Sequence, residues 1–265
     1  MSNQYDMSLR HGVDFNFGLD GKIVVVTGGL GGIAMASNEA FVAKGAKVAI
    51  WYPEFEQDRV APAIEKLGAD KAFAVACDVT REDEVEHAVA QTLKHYGDLH
   101  VLVNAAGTVA LTPAEQVPLE EWSHIIAVCL TGPFLCSKHV ARYLLKSGHG
   151  GKIINIASQA ATIAIDHHCA YTSAKAGLIG MTKVMAKEWA RKGITVNTVS
   201  PTVVLTPMGA KAWDGPKGEA MKDLIPVGRF AYTDEIAAAI LFLASNGADM
   251  ITGADIMIDG GFTIW

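Results

Sequence analysis

The chain has 265 residues and a formal net charge of −6 at pH 7, with 50% hydrophobic and 19% charged residues. This composition excludes an intrinsically disordered chain and predicts a large buried core. The acidic balance gives no electrostatic reason to bind nucleic acid or an anionic membrane, because both attract clustered lysine and arginine. The four cysteines form no CxxC pair and follow no secretory signal, so we expect neither disulfides nor a zinc site, and a cytoplasmic protein.

Short apolar runs alternate with longer amphipathic segments, a pattern typical of parallel strands joined by crossover helices. Because these runs follow one another without a linker, we predict one α/β domain, doubly wound around a seven-stranded parallel sheet. The domain is expected to span residues 19–265, with residues 1–18 as an N-terminal arm. The predicted strands are Ile23 to Thr27, Lys47 to Trp51, Lys71 to Ala76, Leu99 to Asn104, Lys152 to Ala157, Thr195 to Ser200 and Asp255 to Ile258.

A glycine-rich turn, Thr27-Gly28-Gly29-Leu30-Gly31-Gly32-Ile33-Ala34, follows the first predicted strand and precedes a helix-compatible stretch. Glycine permits positive φ and a close backbone approach, while the free N–H groups and the dipole of a helix start attract an anion. A strand, a glycine turn and a helix in this order indicate a cradle for the pyrophosphate of a dinucleotide. A tight corner without a ligand is the alternative that the turn alone leaves open.

The end of the second predicted strand bears on the choice of dinucleotide. An acid at this place hydrogen-bonds the adenosine ribose of NAD, whereas an arginine favours the 2′-phosphate of NADP. Tyr52 stands where an aspartate is expected, but Glu54 is close, and no lysine or arginine lies between Lys47 and Arg59. We therefore predict NAD as the cofactor and NADP as the less favoured one.

Tyr171 and Lys175 stand four residues apart, so a helix would place both side chains on one face. A phenol with an ordinary pKa of about 10 is a poor base at pH 7, and a neighbouring ammonium stabilises its phenolate. Ser158 ends an apolar strand at the carboxyl edge of the sheet, where ligands bind in open α/β folds, and its hydroxyl is suited to orient a substrate oxygen. The spacing of Tyr171 and Lys175 alone also fits an exposed helix pair.

The connection of residues 201–228 lies between the last two predicted strands and holds four prolines. It is too long for an ordinary connection in a compact domain. We expect a lid or a substrate-binding loop, and a variable surface loop is the alternative.

Together, the glycine turn, the segment Asn104-Ala105-Ala106-Gly107, Ser158 and the Tyr171/Lys175 pair resemble the short-chain dehydrogenase/reductase family over essentially residues 19–265. The resemblance implies a single Rossmann-type domain, usually in a homotetramer, and hydride transfer between a nicotinamide cofactor and a CH–OH group. It also implies that Ser158 holds the substrate oxygen and that Tyr171 exchanges the proton. Lys175 would bind the nicotinamide ribose and lower the pKa of Tyr171.

The same resemblance implies the other site residues. Asp78 and Val79 would face the adenine, Asn104 would line the cofactor cleft, and backbone groups of Val204 would hold the carboxamide. The implied cofactor-binding residues are Gly28, Leu30, Gly32, Ile33, Tyr52, Asp78, Val79, Asn104, Tyr171, Lys175, Val204 and Thr206. The implied substrate-binding residues are Ser158, His168 and Trp213.

The sequence departs from the family pattern at four positions. Ala34 replaces the last glycine of the turn, Tyr52 replaces the aspartate, and Thr202 replaces the glycine that usually follows Pro201. Cys129 stands at the position of the asparagine of the proton relay. Because a thiol does not copy the hydrogen bonding of an amide, we predict that Cys129 takes no part in the chemistry and that the relay runs through water.

Two resemblances bear on the substrate. The segment Pro201 to Trp213, with Ser158-Gln159, is similar to the xylulose reductase branch of the family, and Trp51-Tyr52 is similar to fungal sugar-alcohol and carbonyl reductases. They point to a sugar alcohol or ketose, for which polar residues such as His168 would supply hydrogen bonds. An exposed loop pair of His167 and His168 is the alternative for these histidines. A 3-oxoacyl or hydroxysteroid-type reductase and a catalytically weak NAD-binding protein are the alternatives. The adjacent histidines lack further ligands at a suitable spacing, so no metal is predicted.

Overall fold

Seven parallel strands form one sheet in the order β3-β2-β1-β4-β5-β6-β7 in the computed structural model, which describes residues 11–206, 209 and 213–264. This confirms the predicted α/β fold with a seven-stranded parallel sheet. The strand order reverses between β1 and β4, and the carboxyl ends of these two strands flank the crevice where such folds bind ligands. The strands are β1 Ile23–Thr27, β2 Lys47–Tyr52, β3 Ala72–Ala76, β4 Val101–Asn104, β5 Gly151–Ile156, β6 Ile194–Pro201 and β7 Asp255–Ile258.

Helices cover both faces of the sheet, which is why the strands read as continuous apolar runs. Val24 and Val26 pack into the core on one face, whereas Val25 packs into the core on the other. The helices are α1 Gly32–Ala43, α2 Val60–Leu67, α3 Glu82–Tyr96, α4 Leu119–Ile126, α5 Gly132–Ser147, α6 Cys169–Trp189, α7 Pro216–Asp223 and α8 Thr233–Ala244. The first core includes α1 and α8, and the second includes α3, α5 and α6.

A π-helical segment, Ala127–Thr131, joins α4 to α5 into one continuous helix of residues 119–147. This helix is long and apolar enough to cross a membrane by length and composition, but 56% of its most apolar window is buried inside the protein. Its apolar residues are therefore those of a core helix. Single π-turns inside an α-helix are rare, and those that occur are often found at functional sites.

The described part of the N-terminal arm, residues 11–18, lies against α8 and the turn that follows it. The backbone N–H of Asp14 donates to Asn246 Oδ1 at 3.1 Å, and Asn246 Nδ2 donates to the Gly12 carbonyl at 3.1 Å. The rings of Phe17 and Phe242 meet edge to face at 5.5 Å. The remaining residues of the predicted arm, 1–10, lie outside the described part of the chain.

The predicted substrate loop of residues 201–228 contains helix α7, which the sequence reasoning did not anticipate. Proline breaks a helix interior but fits its first turn, and Pro216 occupies that place after Gly215. A bridge between Val204 and Ala231 closes the base of the loop. Residues 207, 208 and 210–212 lie outside the described part of the chain.

Candidate active site

The predicted catalytic residues meet at the carboxyl edge of the sheet. Ser158 follows β5, and its Oγ accepts the backbone N–H of Ala160 at 3.2 Å, which fixes the chain as it leaves the strand. Helix α6 carries Tyr171 and Lys175 on successive turns. Ser158 begins the short 3-10 helix Gln159–Ala161, which packs against α6, so the structure brings all three residues to the same edge of the sheet.

The Lys175 side chain is only 4% exposed, so its ammonium needs internal partners. Nζ donates to the carbonyl oxygen of Ile156 at 2.6 Å and lies 5.5 Å from the centre of the Tyr171 ring. Because Ile156 is the last residue of β5, this bond locks α6 to the strand that leads to Ser158. The ammonium therefore has a fixed place beside the phenol rather than a mobile surface position.

The glycine turn forms a cradle that stays open because its glycines have no side chains. Gly28 has φ +56°, and a Cβ built on it would lie 2.8 Å from Cα of Ala106. A Cβ on Gly32 would lie 2.7 Å from Thr206 Cγ2. Among the residues that the structure describes, no side chain caps the free N–H groups at the start of α1, and the first turn of the helix holds no acid. Uncapped N–H groups beside a small-residue cradle fit the pyrophosphate of a dinucleotide.

Thr27 is a site residue to which the sequence reasoning gave no role. Its buried Oγ1 accepts the backbone N–H groups of Ala105 at 3.1 Å and Ala106 at 3.2 Å. These bonds hold the loop after β4 against the glycine turn, so they shape the floor of the cleft. A hydroxyl at the end of an otherwise apolar strand was the available signal.

The Asn104 side chain points into the protein interior and is 1% exposed. Its Nδ2 donates to Asn155 Oδ1 at 2.7 Å and to Ser137 Oγ at 3.0 Å. The asparagine thus ties together β4, β5 and α5 beneath the cleft. A direct contact of Asn104 with the cofactor stays a prediction.

At the predicted adenosine end of the cleft, Tyr52 is 6% exposed and its hydroxyl donates to Gln57 Oε1 at 2.5 Å. The Asp78 carboxylate accepts both the backbone N–H and the hydroxyl of Thr80, at 2.9 and 2.8 Å. Val79 is buried, and a Cβ on Gly132 would lie 2.7 Å from its Cγ2. Contacts of these residues with the adenosine stay predictions.

Val204 and Thr206 follow β6 at the mouth of the cleft. The N–H of Thr206 donates to the Val204 carbonyl at 2.7 Å, and the Thr206 hydroxyl accepts the N–H of Gly209 at 3.0 Å. Thr206 also lies directly over Gly32 of the cradle. This segment therefore borders the glycine turn at Gly32, whereas the loop after β4 borders it at Gly28.

Cys129 lies in the π-helical segment and is fully buried. Its thiol donates to the carbonyl of Thr108 at 3.2 Å and accepts the N–H of the same residue at 3.4 Å. A thiol is a weaker hydrogen-bonding group than an amide, yet the Cys129 thiol both donates and accepts here. Cys129 thereby holds the loop after β4 near the Tyr171 side of the cleft.

We expect Cys129→Ser to keep most of the activity, because a hydroxyl also donates and accepts, and Cys129→Asn to reach an equal or higher rate. The rate of alcohol oxidation across pH, compared among wild type and both variants, checks this. A loss of a hundredfold or more in kcat for folded Cys129→Ser, about 2.7 kcal/mol at the transition state, would mean that the thiol itself has a catalytic part.

Besides Ser158, the predicted substrate residues are His168 and Trp213, and these two differ in their surroundings. His168 precedes α6, and its ring lies 6.1 Å from that of Tyr171. Its Nδ1 lies 2.7 Å from the carbonyl of Asp166, so Nδ1 carries the proton and Nε2 of the neutral ring is an acceptor. Trp213 lies 6.1 Å from the buried Phe230 ring. A contact of Trp213 with substrate stays a prediction.

Within the described part of the chain, two groups of histidine and acidic side chains are close enough to hold a metal ion, namely Asp98/His100/His149 and Glu82/Glu86/His139. In the first group, His100 Nδ1 accepts the backbone N–H of Ile23 at 3.2 Å, so the neutral ring carries its proton on Nε2. A protonated nitrogen cannot bind a metal. Asp98 and His100 precede β4 and His149 precedes β5, so the group lies at the edge of the sheet opposite Ser158.

Comparison with known proteins places the site in context. A family model described as Enoyl-(Acyl carrier protein) reductase matches residues 28–263. The chain is 48% identical over 254 residues to a D-threitol dehydrogenase of Mycolicibacterium smegmatis, a match that spans 95% of this chain and 96% of that protein. It is 43% identical over 253 residues to an NAD-dependent glycerol dehydrogenase of Listeria innocua, spanning 96% of this chain and 98% of that protein.

The fold comparison agrees over a similar length. A crystal structure of a short-chain type dehydrogenase/reductase from Mycobacterium marinum superposes with a TM-score of 0.88 at 33% identity. The match spans 93% of this chain and 97% of that chain. The described site is thus embedded in a fold that both chains share nearly from end to end.

Proposed function

Because the chain belongs to the short-chain dehydrogenase/reductase family of oxidoreductases, we propose that it is an NAD-dependent polyol dehydrogenase that interconverts a sugar alcohol and its ketose. The observation that carries the substrate class is the 48% identity to a D-threitol dehydrogenase over 254 residues. The buried Lys175 beside Tyr171 supports a proton-transfer role for this pair.

In the proposed oxidation of the alcohol, Ser158, Tyr171 and Lys175 each have a separate role. The bound nicotinamide supplies the acceptor for the hydride that leaves the alcohol carbon. The Ser158 hydroxyl holds the alcohol oxygen, and the Tyr171 oxygen takes the proton from it as the carbonyl forms. The Lys175 ammonium, fixed by the Ile156 carbonyl, stabilises the negative charge on the Tyr171 oxygen. Reduction of the ketose uses the same groups in reverse.

A polyol carries hydroxyl groups next to the reacting carbon, and His168 is suited to bind one of them. Its Nδ1 proton is engaged by the Asp166 carbonyl, which leaves Nε2 as an acceptor for a substrate hydroxyl. An acyl chain or a steroid offers no hydroxyl for this acceptor at the neighbouring carbon. His168 therefore favours the polyol over the 3-oxoacyl and hydroxysteroid alternatives.

The experiment that tests the proposed function is an oxidation assay of the purified protein with NAD and a panel of C3 to C6 polyols. We expect turnover of at least one polyol, with a higher kcat/KM than for the oxidation of a 3-hydroxyacyl thioester or a hydroxysteroid. Turnover of only the apolar substrates would contradict the polyol class. Binding of NAD without any turnover would instead favour the catalytically weak protein.

We predict a higher kcat/KM with NAD than with NADP for the same polyol. The NAD-dependent relative and the acidic character of the segment after β2 support this choice. The measurement compares the two cofactors at one saturating polyol concentration. A higher value with NADP would mean that the charges near the adenosine ribose favour a phosphate.

We further propose that the enzyme assembles as a homotetramer, as the family resemblance implies, and that it is cytoplasmic, as the cysteine pattern predicts. Light scattering coupled to size-exclusion chromatography measures the assembly. The expected mass is about four times the 28.1 kDa of one chain.

A further inference from the structure

A charge pair lies at the adenosine end of the cleft, in the short 3-10 helix Glu54–Arg59 that follows β2. The Arg59 guanidinium donates one hydrogen bond to the Glu56 carboxylate and another to the carbonyl oxygen of Leu30. Leu30 belongs to the glycine turn, 29 residues earlier in the chain. The fold therefore brings a cation to the glycine turn, although the sequence places no lysine or arginine between Lys47 and Arg59.

The neighbouring strands explain why this pair reaches the cofactor. Thr27 at the end of β1 is in register with Trp51 near the end of β2, and the N–H of Gly29 donates to the Trp51 carbonyl at 3.0 Å. In dinucleotide-binding folds the adenosine ribose lies beside the end of this second strand. A side chain that follows β2 and touches Leu30 is thus within reach of the 2′ position of the ribose.

The structure also distinguishes between the two acids of this segment. Glu54, which supports the sequence prediction of NAD, is exposed to solvent. The Glu56 side chain is 21% exposed and is bonded to Arg59, whose own side chain is 49% exposed. The guanidinium is therefore accessible to a ligand but is already paired with a carboxylate.

We propose that Glu56 sets the choice between NAD and NADP by neutralising Arg59 at the glycine turn. A 2′-phosphate would have to share the guanidinium with a carboxylate that repels it, whereas the 2′-hydroxyl of NAD carries no charge and can donate a hydrogen bond to Glu56. This inference rests on the nicotinamide cofactor of the proposed function. It concerns discrimination at the 2′ position and not the catalytic chemistry.

The test is isothermal titration of NAD and of NADP into wild type, Glu56→Gln, Arg59→Gln and the double variant. We expect Glu56→Gln to tighten NADP binding about tenfold, because one unit of charge next to a phosphate is removed, and to leave NAD within about twofold. The gain should disappear in the double variant and shrink at high ionic strength. Glu39→Gln, which removes the acid of another surface pair with Lys66, is the matched control.

An unchanged Kd for NADP in Glu56→Gln would overturn the proposal. A gain that persists in the double variant would also overturn it, because the effect would then not pass through Arg59. Unaltered NAD binding shows that each variant is folded. If wild type binds NADP as tightly as NAD, the NAD preference of the proposed function is wrong. The role of Glu56 is then tested separately, by whether Glu56→Gln changes the ratio of the Kd values for NAD and NADP.

Discussion

Replacing Tyr171 by phenylalanine is expected to lower kcat for polyol oxidation by at least a thousandfold, about 4 kcal/mol at the transition state, while NAD still binds. The substitution removes only the hydroxyl that takes the substrate proton and keeps the ring that packs beside Lys175. Steady-state kinetics give the rate, and titration of NAD gives the affinity. Wild-type turnover by the variant would reject Tyr171 as the acid/base.

Tyr143→Phe is the matched control for this experiment. The Tyr143 hydroxyl donates to Asp98 Oδ1 at 2.7 Å, in front of β4 at the opposite edge of the sheet. Its loss removes one internal hydrogen bond, worth about 1 kcal/mol of stability, without touching the cleft. We therefore expect kcat of Tyr143→Phe to stay near the wild-type value.

Replacing Lys175 by alanine is expected to weaken NAD binding about tenfold and to lower kcat by at least a hundredfold, because one ammonium serves both the cofactor and Tyr171. The ammonium also bonds the Ile156 carbonyl in a buried place, so its loss leaves that acceptor unpaired. NAD titration and steady-state kinetics measure the two effects separately. An unchanged NAD affinity would contradict the ribose-binding role.

Two further variants separate charge from packing at this position. Lys175→Met keeps most of the buried aliphatic stem and loses the ammonium, so it should show the same loss of rate with less loss of stability. Lys183→Ala removes an exposed lysine from the same helix and should leave both NAD affinity and kcat unchanged. A normal rate for Lys175→Met would show that packing, not charge, explains the alanine variant.

The seven strands and the parallel sheet followed from the sequence because their signal is local. Strands buried on both faces require continuous apolar runs, and the segments between them must be long enough for crossover helices. The predicted bounds of single strands are less accurate. The strand predicted from Leu99 to Asn104, for example, begins two residues later in the structure, as β4 Val101–Asn104, because pairing with the neighbouring strands decides where a strand begins. The glycine turn and the pair of Tyr171 and Lys175 were likewise readable, since each depends on a fixed spacing within one turn or helix.

Helix α7 and the role of Cys129 were not readable in this way. Prolines in residues 201–228 read as loop markers, although Pro216 starts a helix. From its residue type, a thiol is a poor substitute for an amide. The π-helical segment nevertheless places Cys129 beside the backbone of Thr108, whose N–H donates to the thiol and whose carbonyl accepts from it. In both cases the outcome depends on where the backbone is placed and not on the residue type alone.

Charged and buried polar side chains show most clearly which features follow from the sequence and which depend on the tertiary structure. The sequence by itself identifies the acids after β2 and the hydroxyl of Thr27, but it does not say what each one touches. Only the tertiary structure shows that the Arg59 guanidinium bonds the Leu30 carbonyl and the Glu56 carboxylate. Only the tertiary structure shows that the Thr27 hydroxyl accepts a backbone N–H of the loop after β4. The physical reason is that secondary structure follows from patterns within a few residues, whereas a hydrogen bond or ion pair depends on distances in space between segments far apart in the chain.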